Sequence, residues 1–249
     1  MIIEMSGKTA LVTAGSRGLG ASIVRQLCAA GADVAFTYAK DTESAKTLEA
    51  EMRATGRRSL ALLADARDYR RAHEVVDQVI AEWKRLDILV CSAGIAKAAS
   101  VAKMTEDEWD DVMDISLKGT FNYVNSVAPH FQAQNGGKIV SVGSINGLRG
   151  RIGTVSYNVA KAGLVGLVKT AAAELGRFNV NVNLVAPGYI ETTTQTNTPE
   201  LIRDLVLKEC AIKRLGQPED ITPLVVFLCS EHSRHITGQT IKIDAGQYL

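Results

Sequence analysis

Seven short apolar stretches alternate with longer amphipathic ones along this chain of 249 residues, and that alternation limits the fold more than any other feature. Residues 8–13, 33–38, 59–63, 86–91, 138–142, 181–185 and 241–244 are rich in Val, Leu, Ile and Ala, as strands shielded on both faces must be. Helical periodicity fills the intervals. It covers residues 18–30 with Gly31 as stop, about 43–55 with Gly56 as stop, 69–85, a long helix from 105 towards 131, and 154–175. Thr105 followed by Glu108 is a capping box that opens the long helix. Strand and helix in turn predict an α/β fold, a doubly wound parallel sheet of about seven strands with helices on both faces. A single domain over residues 1–249 is expected, because no linker, repeat or low-complexity tract divides the chain. After Pro187 the rhythm breaks: polar residues 192–199 predict a mobile loop, and two short helices follow around 200–209 and 218–230. The loop and helices around 188–215 are the expected substrate-side excursion.

Charge narrows the partner. Lys plus Arg number 28 against 27 Asp plus Glu, so there is no basic field to hold nucleic acid. Cys28, Cys91, Cys210 and Cys229 lack paired short spacings, which supports neither a zinc site nor a disulfide framework. His73, His130, His232 and His235 are scattered without ligand spacing, so no metal is expected. No apolar run approaches the ~20 residues of a membrane helix, and residues 1–7 are too short and polar for a signal sequence. A cytoplasmic protein with a small-molecule partner, away from membranes, is the expectation.

Parallel sheets of this kind bind ligands beyond the carboxyl ends of their strands. The first such turn reads Thr13-Ala14-Gly15-Ser16-Arg17-Gly18-Leu19-Gly20, between a strand and a helix. Glycines there let the backbone approach a pyrophosphate, and the helix terminus offers free amides with partial positive charge. The placement points to a dinucleotide rather than to a mere turn. An NAD site carries an acidic residue ~20 positions on, at the end of the second strand. Here that stretch is Tyr38-Ala39-Lys40, with no carboxylate until Asp41. Arg17 and Lys40 suit a 2′-phosphate, which favours NADP (as NADPH) over NAD; the bland alternative is two solvated surface charges.

Tyr157 and Lys161 stand four apart in a predicted helix, so their side chains share a face. Ser144 follows the 138–142 strand, at the same end of the sheet as the glycine-rich turn. A free Tyr holds its proton at neutral pH, and an adjacent ammonium makes that proton easier to exchange. Ser144 can donate to a carbonyl oxygen where charge accumulates. Taken alone, such a pair at helical spacing is commonplace.

These residues occur with further ordered stretches: Asp65, residues 86–94, Gly143-Ser144, residues 157–161, residues 187–192, residues 214–220 and residues 236–239. Over essentially its full length the chain resembles the short-chain dehydrogenase/reductase family, in particular the branch that includes 3-oxoacyl-acyl-carrier-protein reductases. The resemblance implies a Rossmann-type fold with Tyr157 as general acid/base. It implies that Lys161 lowers the Tyr157 pKa and grips the nicotinamide ribose, and that Ser144 orients the carbonyl. It also implies that Asp65 and Ala66 border the adenine and that Ile190 and Thr192 meet the carboxamide. Cys91, Ser92, Gly94, Pro187 and Gly188 complete the expected cofactor surround.

Three departures stand out. Ala14 replaces the family's first loop glycine, and its methyl is expected to fit if Gly15 supplies the backbone freedom. Cys91-Ser92 replaces the usual Asn-Asn, removing amides that brace neighbouring backbone. The family's helix Asn, which supports a water in a proton relay from the Lys, falls on Ser116. A relay in altered form is one expectation, and a hydroxyl bonded to its own helix is the other. Cys91 ends a strand near the expected cofactor and is a candidate for reaction with thiol reagents, though no His is placed to make it a nucleophile.

The substrate side is expected to be walled by residues 95–104, 145–153 and 189–205. Arg149 and Arg151 are its most distinctive members, either meeting a carboxylate or a phosphate-bearing carrier such as coenzyme A, or lying solvated on a loop. Small residues such as Ala162, Gly163 and Gly166 suit helix pairing between subunits, and the resemblance implies a homo-oligomer, a tetramer. The expectation is thus a carbonyl reductase acting on a ketone or 3-oxoacyl thioester. Its rival is a dinucleotide-binding regulatory or scaffold protein that has lost turnover. Chemistry on a sugar nucleotide would need a longer C-terminal substrate region than this length leaves.

Overall fold

Strands pressed between two layers of helices must be apolar on both faces, and here they are. The computed structural model describes residues 3–191 and 200–249. In it β1 (Thr9–Val12), β2 (Asp33–Tyr38), β3 (Ser59–Leu63), β4 (Ile88–Cys91), β5 (Gly137–Val142), β6 (Val180–Pro187) and β7 (Thr240–Ile243) form one sheet. Its order is β3-β2-β1-β4-β5-β6-β7, and every pairing is parallel. The strands β1, β4 and β6 are buried at every position.

On one face α1 (Gly18–Ala29), α2 (Thr42–Ala54) and α8 (Pro218–Cys229) pack around Ile23, Leu27, Phe36, Leu48 and Val225. On the other, α3 (Tyr69–Trp83), α5 (Gly119–Ala133) and α6 (Val155–Leu175) enclose Val79, Tyr123, Phe131, Leu164 and Val168. The sheet is therefore doubly wound, as its alternating sequence requires. Between β1 and β4 the strand order reverses, so the loops leaving these two strands part and open a crevice at their carboxyl ends.

The helix predicted to run on from Thr105 is broken into α4 (Glu106–Met113), a π-helical turn (Asp114–Lys118) and α5. The capping box is formed as expected: the Glu108 amide donates to Thr105 Oγ1 at 3.3 Å, and Glu108 Oε2 accepts from the Thr105 amide at 3.2 Å. The π turn adds a residue that apolar spacing does not disclose, because the helical pattern resumes on the far side. Its packing partners explain its place. A Cβ on Gly163 of α6 would lie 2.7 Å from Leu117, and one on Gly119 would lie 2.9 Å from Ala66. Ser116, inside the turn, is completely buried.

Ala14 corrects the expected division of labour in the glycine-rich turn. Ala14 itself adopts the left-handed conformation, with φ of +52°. Gly15 serves packing instead, since a Cβ there would sit 2.5 Å from the Phe36 Cβ. Gly20 is equally constrained: a Cβ on it would lie 2.3 Å from the Ala14 carbonyl oxygen. An alanine in left-handed geometry costs about 1–2 kcal/mol, partly offset by the extra chain entropy a glycine loses on folding. Ala14→Gly is therefore expected to stabilise the fold by about 0.5–1 kcal/mol, raising Tm by roughly 1–4 °C in a thermal melt. A lower Tm would mean that the methyl group contributes packing worth more than its strain.

Candidate active site

The crevice at the carboxyl ends of β1, β4, β5 and β6 is a cleft of about 800 Å³. Arg17, Gly18, Leu19 and Gly20 form one wall, Ser92 and Gly94 the floor, and Ser144, Tyr157, Lys161, Pro187, Gly188 and Ile190 the opposite side. Arg17 is the N-cap of α1 and no side chain caps that helix, so its first-turn amides are available to an anion. Ser16 lies with Arg17 on an adjoining hollow towards α2. Glycine at 20 and 94 keeps these surfaces bare, since a Cβ on Gly94 would stand 3.3 Å from Lys161 Nζ.

Tyr38 closes β2, and Ala39 and Lys40 follow it. The first carboxylate after them, Asp41, is committed to capping α2. It accepts from the Ser44 amide at 3.0 Å and the Ser44 hydroxyl at 2.7 Å, and these bonds, with the nearby Arg17 charge, hold it below the usual carboxylate range. The Arg17 and Lys40 side chains form no ion pair among the described residues. Asp65 is paired with Arg67 at 2.7 Å; that hydrogen bond is the main reason its carboxyl lies below the ordinary value, with Lys40 adding to it. Ala66 is held by Asn122, whose Nδ2 donates to the Ala66 carbonyl at 2.9 Å. These residues follow the carboxyl ends of β2 and β3, next to β1 in the sheet, and the bare helix terminus and glycines of the cleft fit a dinucleotide.

At the inner end three side chains meet. Ser144 caps a short 3₁₀ turn (Ile145–Gly147), its Oγ accepting from the Asn146 amide at 3.1 Å. A Cβ on Gly147 would lie 2.5 Å from the Lys161 carbonyl carbon, so this turn sits directly on α6. That contact brings Ser144 to Tyr157, and the two side chains share a hydrogen bond. Burial is the larger influence on Tyr157 and pushes its phenol up, the Ser144 bond opposing it. Lys161 is buried, donates from Nζ to the Val142 carbonyl at 2.7 Å, and lies 5.7 Å from the Tyr157 ring centroid. Burial lowers its pKa to about 8.

Other expected site residues lie behind the wall. Cys91 is buried beside Lys161, and burial pushes its thiol up to about 12, which corrects the expectation of a reactive thiol. The backbone bracing that Cys91-Ser92 lacks comes from Thr13, whose hydroxyl oxygen accepts from the Ser92 and Ala93 amides at 2.9 and 3.1 Å. Ser116 bonds across to the β4 loop: its Oγ accepts from the Ile95 amide at 3.2 Å and donates to the Ile95 carbonyl at 3.3 Å. The hydroxyl therefore does not cap its own helix. Thr192 falls outside the described residues.

Gln247, near the chain end, was not foreseen in this site. Its Oε1 accepts from the Tyr189 amide at 3.0 Å, closing the cleft over Gly188. Nothing in local pattern signals a contact made across 58 residues. A second hollow of about 790 Å³ lies at the amino ends of β1, β4, β5 and β6, where Lys138 is tied to Asn181 at 2.6 Å, at the opposite end of the strands from the glycine-rich turn.

The Enoyl-(Acyl carrier protein) reductase family matches residues 13–247. The 3-oxoacyl-acyl-carrier-protein reductase of Staphylococcus epidermidis is 39% identical over 242 residues, covering 97% of this chain and 99% of its own length. Acetoacetyl-CoA reductase of Shinella zoogloeoides is 39% identical over 244 residues, covering 97% of this chain and 99% of its own. Among solved structures, a dehydrogenase/reductase from Sinorhizobium meliloti 1021 superposes with a TM-score of 0.93 at 32% identity, over 100% of this chain and 98% of that one.

The buried lysine has a stability signature. Its folded pKa, about 8, lies below its ordinary 10.5, so the unfolded chain binds more protons between these values and stability rises with pH across that window. Lys161→Met removes the titration. In paired melts the wild type is expected to gain on Lys161→Met as pH rises from 8 towards 10.5. A difference that does not change with pH would show that burial leaves the ammonium unperturbed.

Proposed function

This chain belongs to the short-chain dehydrogenase/reductase family, and we propose that it works as an NADPH-dependent carbonyl reductase on a ketone or 3-oxoacyl thioester, running in reverse as an alcohol dehydrogenase. One observation carries this reading: Tyr157 and Lys161 of α6 and Ser144 of the turn after β5 face the cleft into which the uncapped end of α1 opens. The names of the relatives, one a 3-oxoacyl reductase and one an acetoacetyl-CoA reductase, support carbonyl chemistry on acyl compounds. The scaffold alternative has no comparable support.

NADPH, when bound, supplies the hydride. Gly18, Leu19 and Gly20 would hold its pyrophosphate, Arg17 and Lys40 its 2′-phosphate, and Asp65 and Ala66 would border the adenine. The inner surround would be Gly94, Pro187, Gly188, Ile190 and Thr192. Ser144, whose oxygen accepts one amide and whose hydroxyl is shared with Tyr157, would turn its proton to the substrate carbonyl. Tyr157, like any phenol, keeps its proton through neutral pH, burial pushing its pKa further up, and delivers it as negative charge gathers on that oxygen. Lys161, an ammonium below about pH 8, stabilises the phenolate left behind. Ser116 fixes the Ile95 backbone beside Lys161 and has one lone pair left for a water of the proton path.

We propose that the protein is a cytoplasmic homo-oligomer, a tetramer. Support comes from α5 and α6, where Phe121 and Val159 are exposed and Gly166 has open space above it.

The chemistry is checked by NADPH oxidation, followed by absorbance, against ketones and 3-oxoacyl thioesters. Tyr157→Phe is expected to lower kcat by ~100- to 10,000-fold while NADPH still binds, and Ser116→Ala to shift the pH profile of kcat. Undiminished turnover in Tyr157→Phe overturns the proton-donor role, and an unmoved profile removes Ser116 from the proton path. For the cofactor, Arg17→Ala and Lys40→Ala are each expected to weaken NADPH roughly 10-fold and spare NADH. Equal losses on both cofactors would contradict recognition of the 2′-phosphate.

A further inference from the structure

We propose that Arg151 reads a carboxylate on the substrate, so that the carbonyl compound this site takes is a short oxo acid; this rests on the reductase reading and names its substrate class. Two arginines follow Ser144, two residues apart, and the fold uses them differently. Arg149 is closed off. It meets Glu209 Oε2 at 2.7 Å, donates to the Gln247 carbonyl at 3.2 Å, and lies over the Tyr248 ring at 5.8 Å. Gln247 Nε2 donates to the same Glu209 oxygen at 2.8 Å, so that carboxylate is already shared by two donors.

Arg151 lines the cleft with Ser144 and Tyr157, and its guanidinium forms no hydrogen bond or ion pair among the described residues. Residues 192–199 are Thr, Gln, Asn and Pro, so they contain no carboxylate to neutralise it. Its backbone is nevertheless fixed. The Arg151 carbonyl accepts from Asn158 Nδ2 at 2.9 Å and from Thr154 Oγ1 at 3.4 Å, and Asn158 is the immediate neighbour of Tyr157 in α6. Thr154 is further paired to Ala99 across the cleft mouth. The loop bearing Arg151 is thus anchored to the helix that carries the reacting groups.

Glu209 feels the Arg151 charge but is bonded to Arg149 and Gln247, so the Arg151 guanidinium keeps its donors open, and its planar fork matches a carboxylate with two parallel bonds. Arg151 opens into the same cleft as Ser144 and Tyr157, so an anion it binds is on the substrate side of the site. A carboxylate on the substrate itself meets that condition. The phosphates of a coenzyme A carrier sit at the far end of a long arm and do not.

The test compares acetoacetate, methyl acetoacetate and acetoacetyl-coenzyme A as substrates of the wild type, Arg151→Gln and Arg151→Lys. Arg151→Gln is expected to lose roughly 10- to 100-fold in kcat/KM on acetoacetate, mainly through KM, and far less on the ester; Lys should restore part of it. Equal losses on acid and ester, or a loss confined to the coenzyme A thioester, overturn the proposal. Calorimetric titration of the protein–NADP⁺ complex with acetoacetate and with the ester separates this proposal from the reductase reading. Arg151-dependent binding of acetoacetate without turnover of any of the three keeps Arg151 as the carboxylate reader and removes the reductase reading. Acetoacetate that fails to bind, or that binds Arg151→Gln as well as wild type, overturns the role of Arg151.

Discussion

The bond from Lys161 Nζ to the Val142 carbonyl holds the site together. It joins the first turns of α6 to the carboxyl end of β5, the two elements that carry Tyr157 and Ser144. A buried ammonium is costly, and this one lacks a carboxylate partner among its described contacts; a single short hydrogen bond to backbone holds it in place. The consequence is a lysine whose pKa falls to about 8 beside a phenol that burial pushes up. The lysine moves towards the operating pH while the phenol moves away from it, so the phenol holds its proton until negative charge gathers on the substrate oxygen.

Close packing of bare backbone makes that bond possible. Gly147 lets the 3₁₀ turn rest on α6, Gly163 lets α6 rest on the π turn, and Gly94 leaves room for the lysine head. The π turn in its turn delivers Ser116 to the back of the β4 loop. At the other end of the cleft the logic is electrostatic. Asp41 spends its charge on the start of α2, which leaves Arg17 and Lys40 as the charges without a fixed partner around the end of β2.

Much of this was legible in the chain. Tyr157 and Lys161 announce a shared face by their spacing, and apolar runs such as 88–91 can only be buried strands. The glycine-rich turn marks the crevice because it joins a strand to a helix. What stayed hidden depends on tertiary contact. The extra residue of the π turn leaves helical periodicity intact on both sides. Gln247 reaches Tyr189 only because β7 runs beside β6. Arg149 and Arg151 look alike as letters, yet Glu209, brought in by α7 (Glu200–Glu209), forms its ion pair with the first and reaches the second only through its field. The strain at Ala14 was misplaced for a related reason: Phe36, a residue of the neighbouring strand, decides that Gly15 must be small.

Redox chemistry at a carbonyl leaves a mark that no binding protein can imitate. The decisive measurement is reduction of a ketone by NADPH carrying deuterium at one face of nicotinamide C4, with the alcohol analysed by mass spectrometry and NMR. Transfer of deuterium from one face only, to the former carbonyl carbon, is the expected result. Consumption of cofactor without label in the alcohol, or label that reaches it from both faces alike, would contradict direct hydride delivery in this cleft.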